Sequence, residues 1–155
     1  MRHTREAVVE RATREFERLD ALVAGLSEHD WHLRLAWSET KDPWTIKDAV
    51  AHITHWKADT ARKVRGRPPP PEERGLSETA GNRLVYERWR DRDPRDVLDW
   101  HRQVQDDLMV ALREAPDAWF SKRERSERWP YDIDGHSEDH RVKDIEQALL
   151  TSTRR

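Results

Sequence analysis

The sequence predicts an all-α protein, an antiparallel four-helix bundle with a long crossover and an auxiliary short helix. Four separate segments carry apolar residues at spacings of three and four, which is the period of an amphipathic helix. No stretch of useful length alternates apolar and polar residues as a strand does. Proline, threonine and aspartate residues near the segment ends supply signals for helix starts and stops.

The first helix is predicted over residues 4–26. Thr4 can cap its start, and Gly25 and Ser27 fall where the helix should end. The apolar stripe of this helix consists of Val8, Val9, Ala12, Phe16, Leu19, Val23 and Leu26.

The second helix is predicted to begin at the Thr45-x-x-Asp48 capping arrangement, just after Pro43, and to end by Gly66. Its stripe consists of Ile46, Ala49, Val50, Ile53 and Trp56. The proline run at residues 68–71 cannot continue a helix, so it predicts a stiff crossover on the surface.

The second half of the chain predicts an auxiliary helix at 77–90, a long helix from Pro94 to Pro116, and a final helix that begins between Gly135 and Ser137. An irregular stretch at 117–134 separates the last two. The long helix carries a stripe of Val97, Leu98, His101, Val104, Leu108, Ala111 and Leu112, and the final helix one of Val142, Ile145, Ala148 and Leu149.

The composition predicts one folded domain over residues 1–155. Only 35% of the residues are apolar and 39% are charged, which alone would favour disorder. The chain nevertheless has 8 Trp, and a tryptophan supplies a large buried area that a disordered chain does not use. We therefore expect a thin core rich in tryptophan and a densely charged exterior.

Several classes of protein are disfavoured by composition. No run approaches the roughly 18–20 apolar residues of a membrane span, and the start of the chain lacks the apolar stretch of a signal peptide. The chain has 0 Cys, which excludes disulfides and thiolate zinc sites, and we therefore expect a cytoplasmic location. With 29 Lys+Arg against 31 Asp+Glu, no overall positive field favours nucleic acid, and the basic residues at 122–125 are predicted to form part of a solvated face.

The histidines supply the candidate chemistry. His52 lies on the flank of the second stripe and should lean toward the bundle interior. His136 and His140 are four residues apart, as are His140 and Asp144, and either spacing places two donors one helical turn apart for a metal ion. On a regular helical wheel, His140 points away from the apolar residues Val142 and Ile145. Asp144 faces the interior only if the buried face of the helix is centred nearer Ala148.

The segment from Asp42 to Trp56, DPWTIKDAVAHITHW, resembles the DinB-like four-helix bundles and is most similar to their ClbS/DfsB branch. That branch shares a Trp, a short capping stretch and an Ala-His-Leu-x-x-Trp helix. The resemblance continues through residues 82–100, 115–117, 129–130 and 133–140, so it covers nearly all of the chain after the first helix.

The resemblance implies an up-down-down-up bundle whose pocket is lined by three His and often holds a divalent metal. His52 matches the histidine of the second helix. In the preferred register of the last helix, His140 is the second ligand and Asp144 stands where the third His is usual; the other register pairs His136 with His140. Two His with one carboxylate suit Zn²⁺, Ni²⁺, Fe²⁺ or Mn²⁺. A vestigial site, in which Asp144 only pairs with a protonated His140, stays open.

Aromatic residues are interpreted mainly as core, with an alternative for some. Trp56 and Trp129 are candidates to line a ligand pocket beside His52 and His140. His101, on the stripe of the long helix, is a satisfied, partly buried histidine or a further pocket residue.

Three functions compete. The first is a metal-dependent hydrolase or thiol-dependent transferase acting on a small reactive molecule, since the wider superfamily that the chain resembles includes enzymes using bacillithiol or mycothiol. The second is a non-catalytic protein, a homodimer, that sequesters a small-molecule ligand at a degenerate site. The third is a DNA-associated stress protein, against which the balanced charge argues.

Overall fold

The computed structural model describes residues 3–121 and 126–153. Within these ranges the regular structure is helical, and the β-type pairing is one isolated bridge between Arg34 and Thr45. The α-helices are α1 (Arg5–Ala24), α2 (Glu28–Trp31), α3 (Ile46–Val64), α4 (Glu78–Trp89), α5 (Pro94–Glu114), α6 (Asp117–Phe120), α7 (Gly135–His140) and α8 (Gln147–Thr153). Two 3₁₀ turns cover Pro71–Glu73 and Tyr131–Ile133, and a π-helical segment, Arg141–Glu146, joins α7 to α8.

The predicted fold class is confirmed. The four long members of the bundle are α1, α3, α5 and the composite helix from α7 to α8, and α3 packs most extensively on α5. The auxiliary helix α4 packs on α3 after the crossover. The irregular stretch contains α6 and one of the 3₁₀ turns, while its residues 122–125 lie outside the described residues.

The start of α3 is fixed by hydrogen bonds that the sequence predicts. The Thr45 backbone N–H donates to Asp48 Oδ2 at 2.8 Å, and the Thr45 hydroxyl donates to the same oxygen at 3.0 Å. The segment before the helix is tied to this point, because Ile46 N–H donates to the carbonyl of Leu33 at 3.0 Å and Leu35 N–H to that of Trp44 at 2.9 Å. Residues 33–45 therefore form a loop anchored at both ends beside the start of α3.

Two apolar clusters make up the core. One contains Leu19 of α1, Ile46 and Ile53 of α3 and Ile145 of the π-helical segment; the other contains Val8, Leu108, Leu112 and Ile133. All eight of these side chains are fully buried. Tryptophans contribute as predicted, with Trp31, Trp44 and Trp89 buried, although Trp37 is 63% exposed.

The π-helical segment corrects the predicted face of the last helix. In a regular helix of about 100° per residue, His140 and Ile145 lie about 140° apart, so only one of them can face the interior. Both are buried in the structure, because a π turn takes up one more residue than an α turn. Val142, predicted to lie on the apolar stripe, is instead 45% exposed.

None of the helices within the described ranges has both the length and the apolar character needed to cross a lipid bilayer.

Candidate metal centre

Three histidine side chains converge inside the bundle. His52 comes from the middle of α3, and His136 and His140 come from consecutive turns of α7. His136 Nε2 lies 3.0 Å from His52 Nε2 and 2.9 Å from His140 Nε2. All three residues are buried. The i,i+4 spacing of His136 and His140 makes this possible, since it places both rings on one side of the helix.

A carboxylate completes the cluster. Glu39, in the loop before α3, places Oε1 at 3.1 Å from His140 Nε2 and Oε2 at 3.5 Å from His52 Nε2. One ligand atom from each of Glu39, His52, His136 and His140 lies within 4.8 Å of the others. We call these four residues the His₃Glu cluster.

A carboxylate lies on the far side of two of the rings, and one of the two carboxylates is hydrogen-bonded to its ring. Asp144 Oδ2 lies 2.5 Å from His140 Nδ1, so a proton on Nδ1 leaves the Nε2 lone pair facing the cluster. Asp132 Oδ1 lies 3.2 Å from His136 Nδ1, but the two atoms are not aligned for a hydrogen bond. His52 Nδ1 is buried without a hydrogen-bond partner among the described residues.

The electrostatics of the cluster separate two of its histidines. Burial lowers the pKa of His52 to about 4, and the neighbouring Glu39 only partly opposes this. Burial also lowers the pKa of His140, but hydrogen bonds and charge from Asp144 and Glu39 outweigh it and raise that pKa to about 9. Hydrogen bonds from His140 and His52 hold the pKa of Glu39 far below its usual range. The pocket therefore favours an ionised carboxylate with positive charge beside it.

The donor set fits a divalent metal ion. Imidazole nitrogens bind Zn²⁺ at about 2.0–2.1 Å, so two such nitrogens on one ion lie about 2.9 Å apart at right angles and about 3.4 Å apart at the tetrahedral angle. The Nε2 separations of 2.9 and 3.0 Å lie at the lower end of that range. Three nitrogens and one carboxylate oxygen also suit Fe²⁺, Mn²⁺ and Ni²⁺. The cluster could therefore bind a metal, and the donor set alone does not select one.

Aromatic rings enclose the cluster. The Trp44 ring lies 4.9 Å from that of His52, and the Trp56 ring lies 6.4 Å from both His52 and His136. Tyr131 stacks on His136 at 5.3 Å. These rings shield the ring nitrogens from water, which strengthens their electrostatic interactions.

Gly135 is required for the stacking of Tyr131. A Cβ atom at this position would lie 2.8 Å from Cδ2 of Tyr131, closer than real contacts allow. The Tyr131 hydroxyl donates to Asp139 Oδ2 at 2.8 Å, which holds the ring from its other end. The glycine that begins α7 therefore leaves room for the ring that covers His136.

The predicted site residues fall into two groups. The structure brings together His52, His136 and His140, and Trp56 beside them, whereas Asp144 contacts His140 from behind. The register that placed Asp144 in the position of the third histidine thus differs from the structure, because the π-helical segment begins directly after His140 and rotates the residues that follow.

Trp129 and His101 have ring contacts elsewhere in the bundle. Trp129 packs 4.6 Å from Trp119 in the second apolar cluster. His101 is buried in α5 against the Phe16 ring at 4.9 Å and faces Asp20. That these two residues line the pocket beside His52 and His140 stays a prediction. Their ring contacts place Trp129, in the loop after α6, and His101, in α5, against other parts of the core.

Sequence reasoning missed Glu39 and the residue that holds it, Asn82. Glu39 is one of 31 acidic residues and stands in a loop, where no helical spacing marks it. Asn82 lies on the buried side of α4 and donates from Nδ2 to Glu39 Oε2 at 2.9 Å. Neither residue carries a local signal, so only the assembled fold reveals them.

Comparisons with known proteins agree with the fold. A crystal structure of an uncharacterised protein from Escherichia coli UTI89 superposes with a TM-score of 0.78 at 10% identity, covering 97% of this chain and 95% of that one. No curated protein matches the chain. The family model of the mycothiol maleylpyruvate isomerase N-terminal domain matches residues 12–130, which include Glu39 and His52. The chain therefore belongs to the mycothiol maleylpyruvate isomerase N-terminal domain family, a family of DinB-like fold.

Proposed function

We propose that this protein binds one divalent metal ion at the His₃Glu cluster and promotes thiol-dependent chemistry on a small reactive molecule. The observation that carries the proposal is the convergence of three histidine Nε2 atoms and one carboxylate in a buried pocket. The family name supports a thiol co-substrate of the mycothiol class. Residues 42–56 resemble the ClbS/DfsB branch, whose members inactivate reactive, electrophilic small molecules, and this resemblance supports such a molecule as the substrate.

The roles of the residues follow from their contacts. The ion would be held by the four residues of the His₃Glu cluster. When bound, it acts as a Lewis acid that lowers the pKa of a thiol or water. Asp144 holds the proton of His140 on Nδ1 and so keeps Nε2 available. Trp44 and Trp56 exclude water from the ring nitrogens.

Metal binding is tested by titrating metal-free, untagged protein with Zn²⁺, Ni²⁺ and Mn²⁺ in a calorimeter. We expect one ion per chain for the native protein. His136→Ala should weaken binding about 100-fold or more, because a ligand is lost. His32→Ala is the matched control, since this histidine is exposed and contacts Glu28. Equal binding by the two variants would contradict the site.

Thiol dependence is tested on the metal-loaded protein with mycothiol and maleylpyruvate, the substrate class in the family's name. Consumption of maleylpyruvate should require both the thiol and the metal, and the His52→Ala variant should not consume it. A rate that does not change when the thiol is omitted would remove the thiol-dependent part of the proposal and leave the metal site.

A sequestering protein without catalysis is the second candidate, and Glu39 is the observation that favours it. Structural metal sites are closed by four protein ligands, whereas catalytic zinc sites keep a position open. Four protein donors lie close enough to share one ion here. Stoichiometric metal binding without turnover of any thiol or electrophile would favour this candidate.

A further inference from the structure

Asn82 connects the His₃Glu cluster to the auxiliary helix α4. Its side chain is buried, and it bridges two residues that the sequence separates widely. The Trp56 indole Nε1–H donates to Asn82 Oδ1 at 3.0 Å, and Asn82 Nδ2 donates to Glu39 Oε2 at 2.9 Å. An indole nitrogen can only donate, so the bond from Trp56 fixes the amide with its NH₂ group toward Glu39.

The loop that carries Glu39 closes on itself. The Ser38 hydroxyl donates to the carbonyl of Asp42 at 2.6 Å, and the Trp44 indole N–H donates to the Thr40 hydroxyl at 3.1 Å. Lys41 has a φ of 63°, in the left-handed region. These bonds fix the backbone of the turn, but none of them touches the carboxylate of Glu39.

The carboxylate is held by groups outside its own loop. Within residues 3–121 and 126–153, the side chains in hydrogen-bonding or ion-pair contact with Glu39 are His52, His140 and Asn82. Asn82 is therefore the partner that is not itself a candidate metal ligand. Because it is neutral, it orients Glu39 without cancelling the negative charge, as an Arg or Lys in the same place would.

We propose that Asn82 is a positioning residue, fixed by Trp56, which holds Glu39 against the three histidines so that its carboxylate serves as the fourth metal donor. This inference rests on the proposed metal site. Asn82 acts through Glu39, so its removal should weaken metal binding by no more than the loss of the Glu39 carboxylate does.

The test is a double-mutant cycle on the full chain, with the dissociation constant for Zn²⁺ measured by titration of metal-free protein. Asn82→Leu, similar in size and without donors, should weaken binding about ten-fold or more, the usual effect of removing a group behind a ligand. Glu39→Gln should weaken it at least as much. Adding Asn82→Leu to Glu39→Gln should change the constant by less than about two-fold, the limit of additivity between independent sites.

Trp56→Phe is the second variant. It removes the indole N–H together with the five-membered ring and keeps an aromatic ring at this position. It should weaken binding by a smaller factor than Asn82→Leu, and that loss should also vanish in the Glu39→Gln background. Thermal unfolding of each metal-free variant, followed by circular dichroism, shows which variants fold. If Asn82→Leu does not fold, Trp56→Phe decides by the same two criteria.

The possible outcomes separate this inference from the proposed function. Native protein that binds Zn²⁺, with Asn82→Leu binding equally well, would overturn the inference alone. An equal loss from Asn82→Leu with and without Glu39 would also overturn it, because the residue would then act by another route. Native protein that binds none of the tested ions would overturn the proposed function and this inference together.

Discussion

At the scale of single residues, the contact between Asp144 and His140 decides how a histidine is used. Spacing in the sequence places Asp144 one turn after His140, which permits either a shared metal ion or a bond to the back of the ring. The structure shows the second arrangement, with Asp144 at Nδ1 and the cluster at Nε2. Asp144 therefore orients a donor and supplies charge instead of occupying the cluster.

Asp144→Asn should lower the pKa of His140 and weaken Zn²⁺ binding about ten-fold. The reason is that the hydrogen bond and the negative charge of Asp144 both raise that pKa, against the effect of burial. The pKa is measured by NMR on metal-free protein and the affinity by calorimetry. Asp132→Asn is the control, because Asp132 is not aligned for a hydrogen bond to His136. An equal effect of the two variants would contradict this assignment.

His101 predicts a loss of stability in acid. Burial and the charge of Lys57 lower its pKa to about 4 in the folded protein, and Asp20 only partly opposes this. Below about pH 6.5, His101 is protonated in the unfolded chain but stays neutral in the folded protein. The free energy of unfolding therefore falls as the pH drops from 6.5 toward 4. Above pH 6.5, His101 is neutral in both states and does not make the free energy of unfolding depend on pH.

His101→Phe should therefore make the free energy of unfolding of metal-free protein less dependent on pH between 6.5 and 4. The slope should decrease by up to about 1.4 kcal/mol per pH unit, the value for one proton. Urea unfolding at several pH values measures it. His52 keeps its own acid dependence in both proteins. An unchanged slope would show that His101 is protonated in the folded state.

Residue by residue, the sequence predicts the histidines better than it predicts their partners. His52, His136 and His140 are visible because helical spacing and an apolar context mark them. Glu39 and Asn82 are not visible, since each depends on contacts between elements that lie far apart in the chain. Loop carboxylates and buried amides are too common for position alone to identify them.

At the scale of elements, the π-helical segment Arg141–Glu146 allows the last helix to serve the cluster and the core together. The sequence indicates that this helix is not regular throughout. In a regular helix His136 and His140 would lie on one face and Ile145 and Ala148 on another. An assumed regular helix forces a choice between the two faces. One additional residue in a turn removes the conflict, and both sets are buried.

Deletion of Val142, which is exposed within the π-helical segment, should be tolerated. The deletion leaves His140 and Ile145 four positions apart, about 40° in a regular helix, so both still face inward. We expect Zn²⁺ binding to persist and the free energy of unfolding to change by about 1 kcal/mol or less. Calorimetry and urea unfolding measure the two quantities.

The matched control is deletion of Glu138, which is also exposed but lies in regular helix between His136 and His140. It should rotate His136 away from the cluster by about 100° and abolish Zn²⁺ binding. If both deletions abolish Zn²⁺ binding, the one additional residue of the π-helical segment does not explain why both His140 and Ile145 face the interior.

At the scale of the whole molecule, narrow apolar stripes are sufficient for the fold that the composition at first disfavours. The chain is 39% charged, yet two apolar clusters with fully buried Leu, Ile and Val form between the helices. Periodicity and capping residues predict these helices because both act locally. The His₃Glu cluster draws on residue 39, residue 52 and residues 136–140, so only the packed bundle assembles it.

X-ray absorption spectroscopy of the native protein loaded with one equivalent of Zn²⁺ tests whether the His₃Glu cluster binds the ion. Imidazole rings produce a characteristic scattering pattern, so the spectrum counts the histidines bound to the ion. We expect three imidazoles and one carboxylate oxygen, from His52, His136, His140 and Glu39. A first shell with fewer than three imidazoles, or one that is unchanged in His136→Ala, would contradict this expectation.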